Sequence, residues 1–384
     1  MLKSSSAFSA RAAISAFFFV SGFSFASWAS RIPTLTQKLH LNEAQLGSIL
    51  FAMPLGLMLT LPVTGFLLSK FSSRNIMAAG AVIFTLALTA IGFAQTPWQL
   101  AVILFCFGSS RNFMHIAMNA QSVQVQHLYN KSIIASFHGI WSLAGFAGAA
   151  TGASMVYFNI SPAVHFTIAA VLLLIVIVVA SRYSLPDTET AKEKRPAFIL
   201  PDKSLVKLGL IGFCSLACEG TMMDWAGIYF KEAVMAPAKL ITVGYIAYMT
   251  AMTIGRFVGD KLINLLSVKN VLQISGALIM CGLLLSAGFP FFIPSTIGCI
   301  LTGFGVSCIM PMIFALTGKN TTMSPGTAIA AVSTVSYLGF LMGPPLIGYI
   351  AHAAGIRWSF ATFGMLGLLV IILTTKLKIA NRES

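Results

Sequence analysis

Charged residues are scarce in this sequence, and acidic residues are the scarcest. Only 9% of the 384 residues are charged, whereas 57% are hydrophobic. A soluble globular domain carries about 25% charged residues. This shortage excludes an ordinary soluble protein and indicates an integral membrane protein.

The chain also lacks the sequence patterns of several enzyme and ATPase sites. It contains no Gly-x4-Gly-Lys-Ser/Thr loop for nucleotide phosphates and no convincing nucleophile–base set. Its six cysteines lie in apolar segments without metal-ligand or redox spacing, which favours small buried hydrophobic residues. The sequence therefore predicts no enzyme, no catalytic residue, no metal and no cofactor.

Hydropathy divides the chain into twelve apolar segments of the length that crosses a bilayer as a helix. The fold class predicted is an all-α polytopic membrane protein, with 12 transmembrane helices in two pseudo-symmetric six-helix bundles. We expect an N-terminal bundle at 1–182, a cytoplasmic linker at 183–204 and a C-terminal bundle at 205–384. The apolar segments are 11–33, 44–69, 75–95, 98–126, 133–157, 162–182, 205–230, 239–260, 269–289, 292–317, 325–351 and 356–376.

The distribution of lysine and arginine predicts the orientation of these segments. With the N-terminus in the cytoplasm, 18 of the 24 basic residues fall on the cytoplasmic side and 5 on the other, with Arg111 inside a segment. This bias predicts a multi-pass membrane protein with both termini cytoplasmic. It also explains the net charge of +14 without a nucleic-acid partner.

Only two of the ten acidic residues lie inside apolar segments, Glu219 and Asp224 in the seventh. A carboxylate at that depth costs about 2.5 kcal/mol or more, so it normally faces a bundle interior or a watery cavity. Burial favours its neutral form and a nearby cation its charged form, so an acid between the two can exchange protons near neutral pH. The alternatives are a permanent ion pair or a hydrogen-bonded acid that only fixes packing, and Asp224 can simply face outer water.

The two halves of the chain look like copies of each other. Trp28 and Trp225 are 197 residues apart, and the strings at 103–108 and 300–305 match at the same offset. Gly145-Phe146 and Gly339-Phe340 match at an offset of 194. Duplicated six-helix halves with a midplane site are typical of secondary transporters.

At this point the chain resembles the major facilitator superfamily. Residues 65–74, Gly-Phe-Leu-Leu-Ser-Lys-Phe-Ser-Ser-Arg, are similar to the family's loop signature, Gly-x-Leu-x-Asp-Arg-x-Gly-Arg-Arg, with serine at the usual Asp and Gly positions. Residues 255–261, Gly-Arg-Phe-Val-Gly-Asp-Lys, resemble its second copy more closely. The candidate conformational residues of these copies are Gly65, Arg74, Gly255, Arg256, Gly259 and Asp260.

Further strings resemble the bacterial inner-membrane YbjJ-type branch, near the fucose-permease-like sugar transporters. They lie at 117–120, 137–142 and 339–348, together with Glu219-Gly220 and Asp224-Trp225. The sequence departs from that branch at His115 and Gln126, where acids are usual. The resemblance implies the major facilitator fold, with the first and fourth helices of each half lining a cavity.

A polar face on the fourth segment is the expected partner of Glu219. Arg111, His115 and Asn119 recur every four residues and therefore share one helix face. An arginine within a membrane span is a functional candidate by default, and a satisfied interior histidine is the alternative for His115. The resemblance implies that the fourth and seventh segments share one cavity.

Five further residues are weaker candidates. His138 lies in a glycine-rich segment that is also explained by close helix packing. Trp28 and Trp225 suit either stacking on a sugar or anchoring at the membrane interface. Gly343 and Pro344 break or bend the eleventh segment, either as a hinge for alternating access or as a static kink.

The sequence thus predicts a secondary active transporter of a small polar solute, sugar-like or related, coupled to protons by symport. Glu219 is the expected proton carrier, and Arg111 its counter-charge or the anchor of the substrate. The expected partners are the solute, protons and the lipid bilayer, with the protein as a monomer. Two alternatives stay open: efflux of amphipathic or toxic compounds by the same fold, and a non-transporting membrane sensor.

Overall fold

The computed structural model describes residues 2–130, 133–186, 203–317 and 325–377, and every regular element in these ranges is helical. The chain divides into two compact units, Met1–Lys194 with Ala238–Leu240, and Arg195–Pro237 with Ile241–Ser384. Of the linker expected at 183–204, residues 187–202 lie outside the described part of the chain. The protein is all-α and polytopic.

Helices of the first unit begin at polar capping residues. Ser72, Thr96 and Ser161 each accept a hydrogen bond from the backbone N–H three residues later. These side chains satisfy N–H groups that a helix leaves without an intrahelical acceptor. The helices are α1 (Leu2–Ser30), α2 (Ile32–Lys38), α3 (Glu43–Leu59), α4 (Leu61–Lys70), α5 (Ser73–Phe93), α6 (Pro97–Gln126), α7 (Ile134–Tyr157) and α8 (Pro162–Tyr183).

The second unit has seven α-helices in its described residues and opens on a long helix that carries both intramembrane acids. A short 3-10 helix, Ala238–Leu240, precedes its second α-helix. The α-helices are α9 (Lys203–Glu232), α10 (Val243–Leu266), α11 (Val268–Gly288), α12 (Phe292–Ser307), α13 (Ile309–Thr317), α14 (Pro325–Ala354) and α15 (Ile356–Thr375).

Two of the apolar segments differ from the sequence prediction because each forms two helices. The segment at 44–69 is interrupted at Thr60, between α3 and α4, and the segment at 292–317 at Cys308, between α12 and α13. Pro62 and Pro311 lie in the first turn of the second helix in each case. Proline is tolerated there because a first-turn N–H has no intrahelical acceptor to lose.

Eleven stretches of the described chain are long and apolar enough to cross a membrane. The 24-residue α7, whose sequence includes glycines, serines and His138, also has a spanning length. With α7 included, the described helices fit the twelve predicted segments.

Glycines bring the first helix of each unit close to a partner helix. A Cβ on Gly22 of α1 would lie 2.3 Å from the carbonyl oxygen of Trp141 in α7. In the second unit, a Cβ on Gly339 of α14 would lie 2.2 Å from the carbonyl oxygen of Phe213 in α9. Small residues are what allow helix backbones to approach so closely in membranes.

The cysteine prediction is wrong for two of the six residues. Cys214, Cys218, Cys299 and Cys308 are buried, whereas Cys106 and Cys281 are exposed on the helix surfaces. A small apolar side chain is compatible with either environment in a membrane protein, because lipid tails are as apolar as a protein interior.

Candidate functional site

An ion pair between α9 and α10 is the central feature of the second unit. Oε1 of Glu219 lies 3.8 Å from Nη2 of Arg256, and Glu219 is only 7% exposed. Arg256 keeps 25% of its side chain accessible. The glutamate therefore has a cation of its own unit, close to the centre of a spanning helix.

Asp224 lies on α9, five residues after Glu219, and is 2% exposed. The buried hydroxyl of Tyr245 on α10 has no hydrogen-bond partner among the described residues, and Tyr245 lies within electrostatic range of Asp224. The aspartate is thus enclosed within its unit, with a tyrosine hydroxyl group in its electrostatic surroundings.

Tyr248 brings the two acids of α9 into one polar cluster. It is fully buried and lies within electrostatic range of Glu219, Arg256 and Tyr245. Its hydroxyl donates to the sulfur of Met252 at 3.4 Å. We call Glu219, Asp224, Tyr245, Tyr248 and Arg256 the α9–α10 cluster.

The motif glycines around Arg256 hold α10 against the end of α12. A Cβ on Gly255 would lie 2.4 Å from Oγ of Ser307, and one on Gly259 would lie 2.5 Å from Sγ of Cys308. The side chain of Asp260 lies outside the described residues. Close packing by the two glycines positions the turn of α10 that carries Arg256.

The polar face predicted on the fourth segment is present in the first unit. Arg111, His115 and Asn119 are half-buried on α6. The amide of Asn119 donates to the carbonyl oxygen of His115 at 2.9 Å and lies 3.3 Å from its Nδ1. The amide thus orients the imidazole along the helix face.

Aromatic rings flank this face. The guanidinium of Arg111 lies over the ring of Phe25 in α1, 4.5 Å from its centroid. His138 of α7 is exposed, packs edge-on against Phe18 at 5.2 Å and lies within electrostatic range of His115. A cation over an aromatic face is stabilised by about 0.5–2 kcal/mol. Arg111, His115, Asn119 and His138 form what we call the α6–α7 polar face.

The two tryptophans are enclosed in their own units. Trp28 is 1% exposed and Trp225 is 0% exposed. Neither indole N–H has an acceptor among the described residues. A solute reaches these rings only after a change of packing.

The remaining motif residues lie at helix ends and within α14. Gly65 of α4 has no atom within 4 Å of the position of a Cβ, and Arg74 is half-buried in the first turn of α5. Gly343 and Pro344 lie inside α14, which continues through them to Ala354. The prediction that they break the eleventh segment is therefore wrong, whereas a bend stays a prediction.

The sequence did not predict that Arg256 lies beside Glu219, nor that Tyr245 and Tyr248 belong to the α9–α10 cluster. The sequence places Arg256 in the loop signature and predicts Arg111 as the counter-charge of Glu219, whereas the structure gives Glu219 an ion pair with Arg256 of its own unit. Tyr245 and Tyr248 are spaced by three residues and so share a helix face. That spacing alone does not distinguish a polar cluster from ordinary core packing.

Comparison with known proteins agrees with this architecture. The family model for the Major Facilitator Superfamily matches residues 13–324 and 208–383. The chain is 29% identical over 353 residues to an uncharacterized MFS-type transporter of Yersinia pestis, covering 92% of both chains.

Two solved structures share the fold at low sequence identity. The nucleoside transporter NupG superposes with a TM-score of 0.73 at 15% identity, over 95% of this chain and 98% of that one. The MFS transporter FucP, in an outward conformation, gives 0.65 at 17% identity, over 95% and 97%. Twelve span-length helices in two compact units, with polar clusters inside both, together with the family match, show that this chain belongs to the Major Facilitator Superfamily of membrane transporters.

Proposed function

We propose that the protein is a secondary active transporter of a small polar solute, such as a sugar-like metabolite, coupled to protons by symport. The observation that carries the proposal is the ion pair of Glu219 and Arg256 inside the spanning helices α9 and α10. An ionisable pair in a span is costly and marks a functional site more often than a structural one.

Protonation of Glu219 gives this pair two states. When the carboxyl group is ionised, its attraction for Arg256 holds α9 and α10 together at this level. When the carboxyl group takes up a proton, that attraction is lost and Arg256, with 25% of its side chain accessible, favours a more hydrated position. The proton thereby changes the relative stability of two arrangements, which is what coupling by alternating access needs.

Asp224 on α9, together with Tyr245 and Tyr248 on α10, adds further polar groups near the ion pair. Tyr248 lies within electrostatic range of Glu219, and Tyr245 within electrostatic range of Asp224. A tyrosine hydroxyl both donates and accepts hydrogen bonds. In the proposed mechanism the tyrosines orient the two acids, and Glu219 carries the proton.

The α6–α7 polar face is the proposed binding surface for the solute. Arginine, asparagine and histidine there supply N–H donors suited to hydroxyl or carboxylate groups. NupG is a nucleoside transporter and FucP a fucose:proton symporter, and both solutes are rich in hydroxyl groups. These relatives support a hydroxylated solute as the first class to test.

The membrane placement is part of the proposal. The lysine and arginine bias supports an inner-membrane protein with both termini cytoplasmic. We propose bundles at 1–182 and 205–384, a cytoplasmic linker at 183–204 and a monomeric protein.

The first experiment identifies a solute and measures its movement. Purified protein is screened by thermal shift against sugars, nucleosides and related metabolites, and the best ligand is tested in proteoliposomes under an imposed pH gradient. We expect accumulation against the solute gradient that disappears when the pH gradient is collapsed. Binding without accumulation in either direction would overturn the transport proposal.

The second experiment tests Glu219 as the proton carrier. Glu219→Gln should abolish uphill accumulation while solute exchange persists, because a glutamine keeps the shape but cannot ionise. Glu232→Gln is the matched control, since Glu232 is exposed at the end of the same helix, and it should transport like the wild type. If Glu219→Gln still concentrates solute, another group carries the proton.

A further inference from the structure

A buried arginine in the first unit has only part of its hydrogen-bonding capacity met. Arg31 lies between α1 and α2 and is 1% exposed. Its Nη2 donates to the carbonyl oxygen of Ile160, in the turn between α7 and α8. Its Nε–H has no acceptor among the described residues. Buried N–H groups of a native protein normally have a partner, so this one calls for a ligand, an ion or water.

No carboxylate in the described chain compensates the charge of Arg31. Glu43 is the single acid among the described residues of the first unit, and Arg31 forms no ion pair with it. A buried cation without a counter-charge is strongly destabilising. The ligand best suited to this place therefore carries a negative charge.

A buried histidine beside Arg31 is also unsatisfied. His165 lies in the first turn of α8 and is 1% exposed. Neither Nδ1 nor Nε2 has a partner among the described residues, and the ring packs against Phe166 with centroids 5.1 Å apart. A neutral imidazole offers one N–H donor, and either nitrogen can carry it.

Helices α1, α7 and α8 converge at these two residues. A Cβ on Gly152 of α7 would lie 1.8 Å from Oγ of Ser30, the neighbour of Arg31, and 3.7 Å from Cε1 of His165. Arg31 follows Ser30 in the chain and lies within electrostatic range of His165. Gly152 therefore lies against both the imidazole of His165 and the residue that precedes Arg31.

We propose that Arg31 and His165 form a binding site for a small monovalent inorganic anion of the chloride class, held by Nε–H of Arg31 and an N–H of His165. The near-complete burial of both side chains excludes a bulky organic ligand. A divalent anion leaves excess negative charge beside one fixed cation, and water leaves the cation uncompensated. The site is independent of the proposed transport cycle.

The test uses the purified full chain in detergent at constant ionic strength. The melting temperature in sodium chloride or bromide is compared with that in sodium gluconate, whose anion is too large for the site. A ligand that binds only the folded state raises the melting temperature, and we expect a rise of about 2 °C or more. Arg31→Met and His165→Phe should each abolish the rise. In gluconate, Arg31→Met should be at least as stable as the wild type, because it removes an uncompensated buried charge.

Lys38→Met is the matched control. Lys38 is exposed on α2, near Arg31 in sequence, and donates to the carbonyl oxygens of Gly92 and Ala94 at 3.3 and 2.8 Å. This variant should keep the halide-dependent rise. If the variants at Arg31 and His165 fail to fold, anomalous scattering from bromide-soaked wild-type crystals decides the matter, because bromide must appear between the two side chains. Equal melting temperatures in chloride and gluconate, or no bromide there, would overturn the proposal.

Discussion

The two units stabilise an arginine within the membrane in different ways. In the first unit, Arg111 lies over the ring of Phe25 at 4.5 Å. In the second, Arg256 lies 3.8 Å from the carboxylate of Glu219. An aromatic face attracts a cation at any pH, whereas a carboxylate loses its attraction when it is protonated. This difference is the reason why we propose solute binding for the first unit and proton coupling for the second.

The scaffolds around these arginines are alike. Glycines bring α1 against α7 and α14 against α9, and each glycine would meet a backbone carbonyl if it carried a side chain. Cys308, which aligns with Arg111 in the repeat, has its sulfur 3.4 Å from the carbonyl oxygen of Gly255, in a buried packing contact. One unit thus uses this position for charge and the other for packing, on the same helical framework.

The largest effect we expect is on solute transport when Arg111 is replaced. Arg111→Met removes a charge-assisted donor, worth about 1.5–3 kcal/mol, and should lower kcat/KM about 10- to 100-fold in proteoliposomes. Arg111→Lys keeps the charge but loses the planar pair of donors, so an intermediate loss is expected.

Arg11→Met is the matched control for this comparison. Arg11 also lies in the first unit over an aromatic ring, 5.5 Å from the centroid of Tyr129. It should transport at nearly the wild-type rate. Equal losses for the variants at Arg11 and Arg111 would show that the cation–aromatic contacts act through folding alone, and unchanged kinetics in Arg111→Lys would argue against bidentate recognition.

The next effect concerns the stability of the second unit. Glu219→Ala leaves Arg256 without this carboxylate and should lower the free energy of unfolding by about 2 kcal/mol, less than for a fully buried pair because Arg256 is partly accessible. Adding Arg256→Met should restore most of that loss. Unfolding by denaturing detergent, followed by tryptophan fluorescence, measures both.

A double-mutant cycle separates this pair from general packing. The cycle should show that Glu219 and Arg256 stabilise each other by about 1 kcal/mol or more, so that the double variant loses less stability than the sum of the two single variants. Strictly additive effects of the two substitutions would mean that the carboxylate does not stabilise Arg256. The proposed difference between an arginine held by an aromatic ring and one held by a carboxylate would then be wrong.

The smallest effect tests what the two units share. Gly22→Ala and Gly339→Ala should each lower the free energy of unfolding by about 1–2 kcal/mol, because the new Cβ forces a helix pair apart. Gly65→Ala is the control, since nothing lies within 4 Å of its Cβ position, and it should be neutral or slightly stabilising. A loss confined to one of the two packed glycines would show that the helix pairs are not equivalent.

The sequence predicts the helical architecture well because segment length and apolarity are imposed by the bilayer. Glu219 and Asp224 are found the same way, since few acids of this chain fall inside apolar segments. The interruptions at Thr60 and Cys308 escape prediction because a proline in a first turn is equally compatible with a continuous bent helix.

The partner of Glu219 could not be found from the sequence, for a different reason. Arg256 is 37 residues away and on another helix, so only the packing of α9 on α10 reveals the pair. Hydropathy likewise carries no signal for the burial of Trp28 and Trp225, because an amphipathic indole is compatible with a core, a cavity or an interface.

The interruption at Thr60 separates α4, a helix of ten residues, from α3. The side-chain amide of Asn112 in α6 holds the first turn of α4. It donates to Oγ1 of Thr60 at 3.2 Å and to Oγ1 of Thr64 at 2.8 Å. A short helix that meets its neighbour at one residue changes its angle at that residue more easily than it bends along its own axis. We therefore expect the part of α4 beyond Thr64 to change its angle more easily than the first turn, which the amide of Asn112 holds.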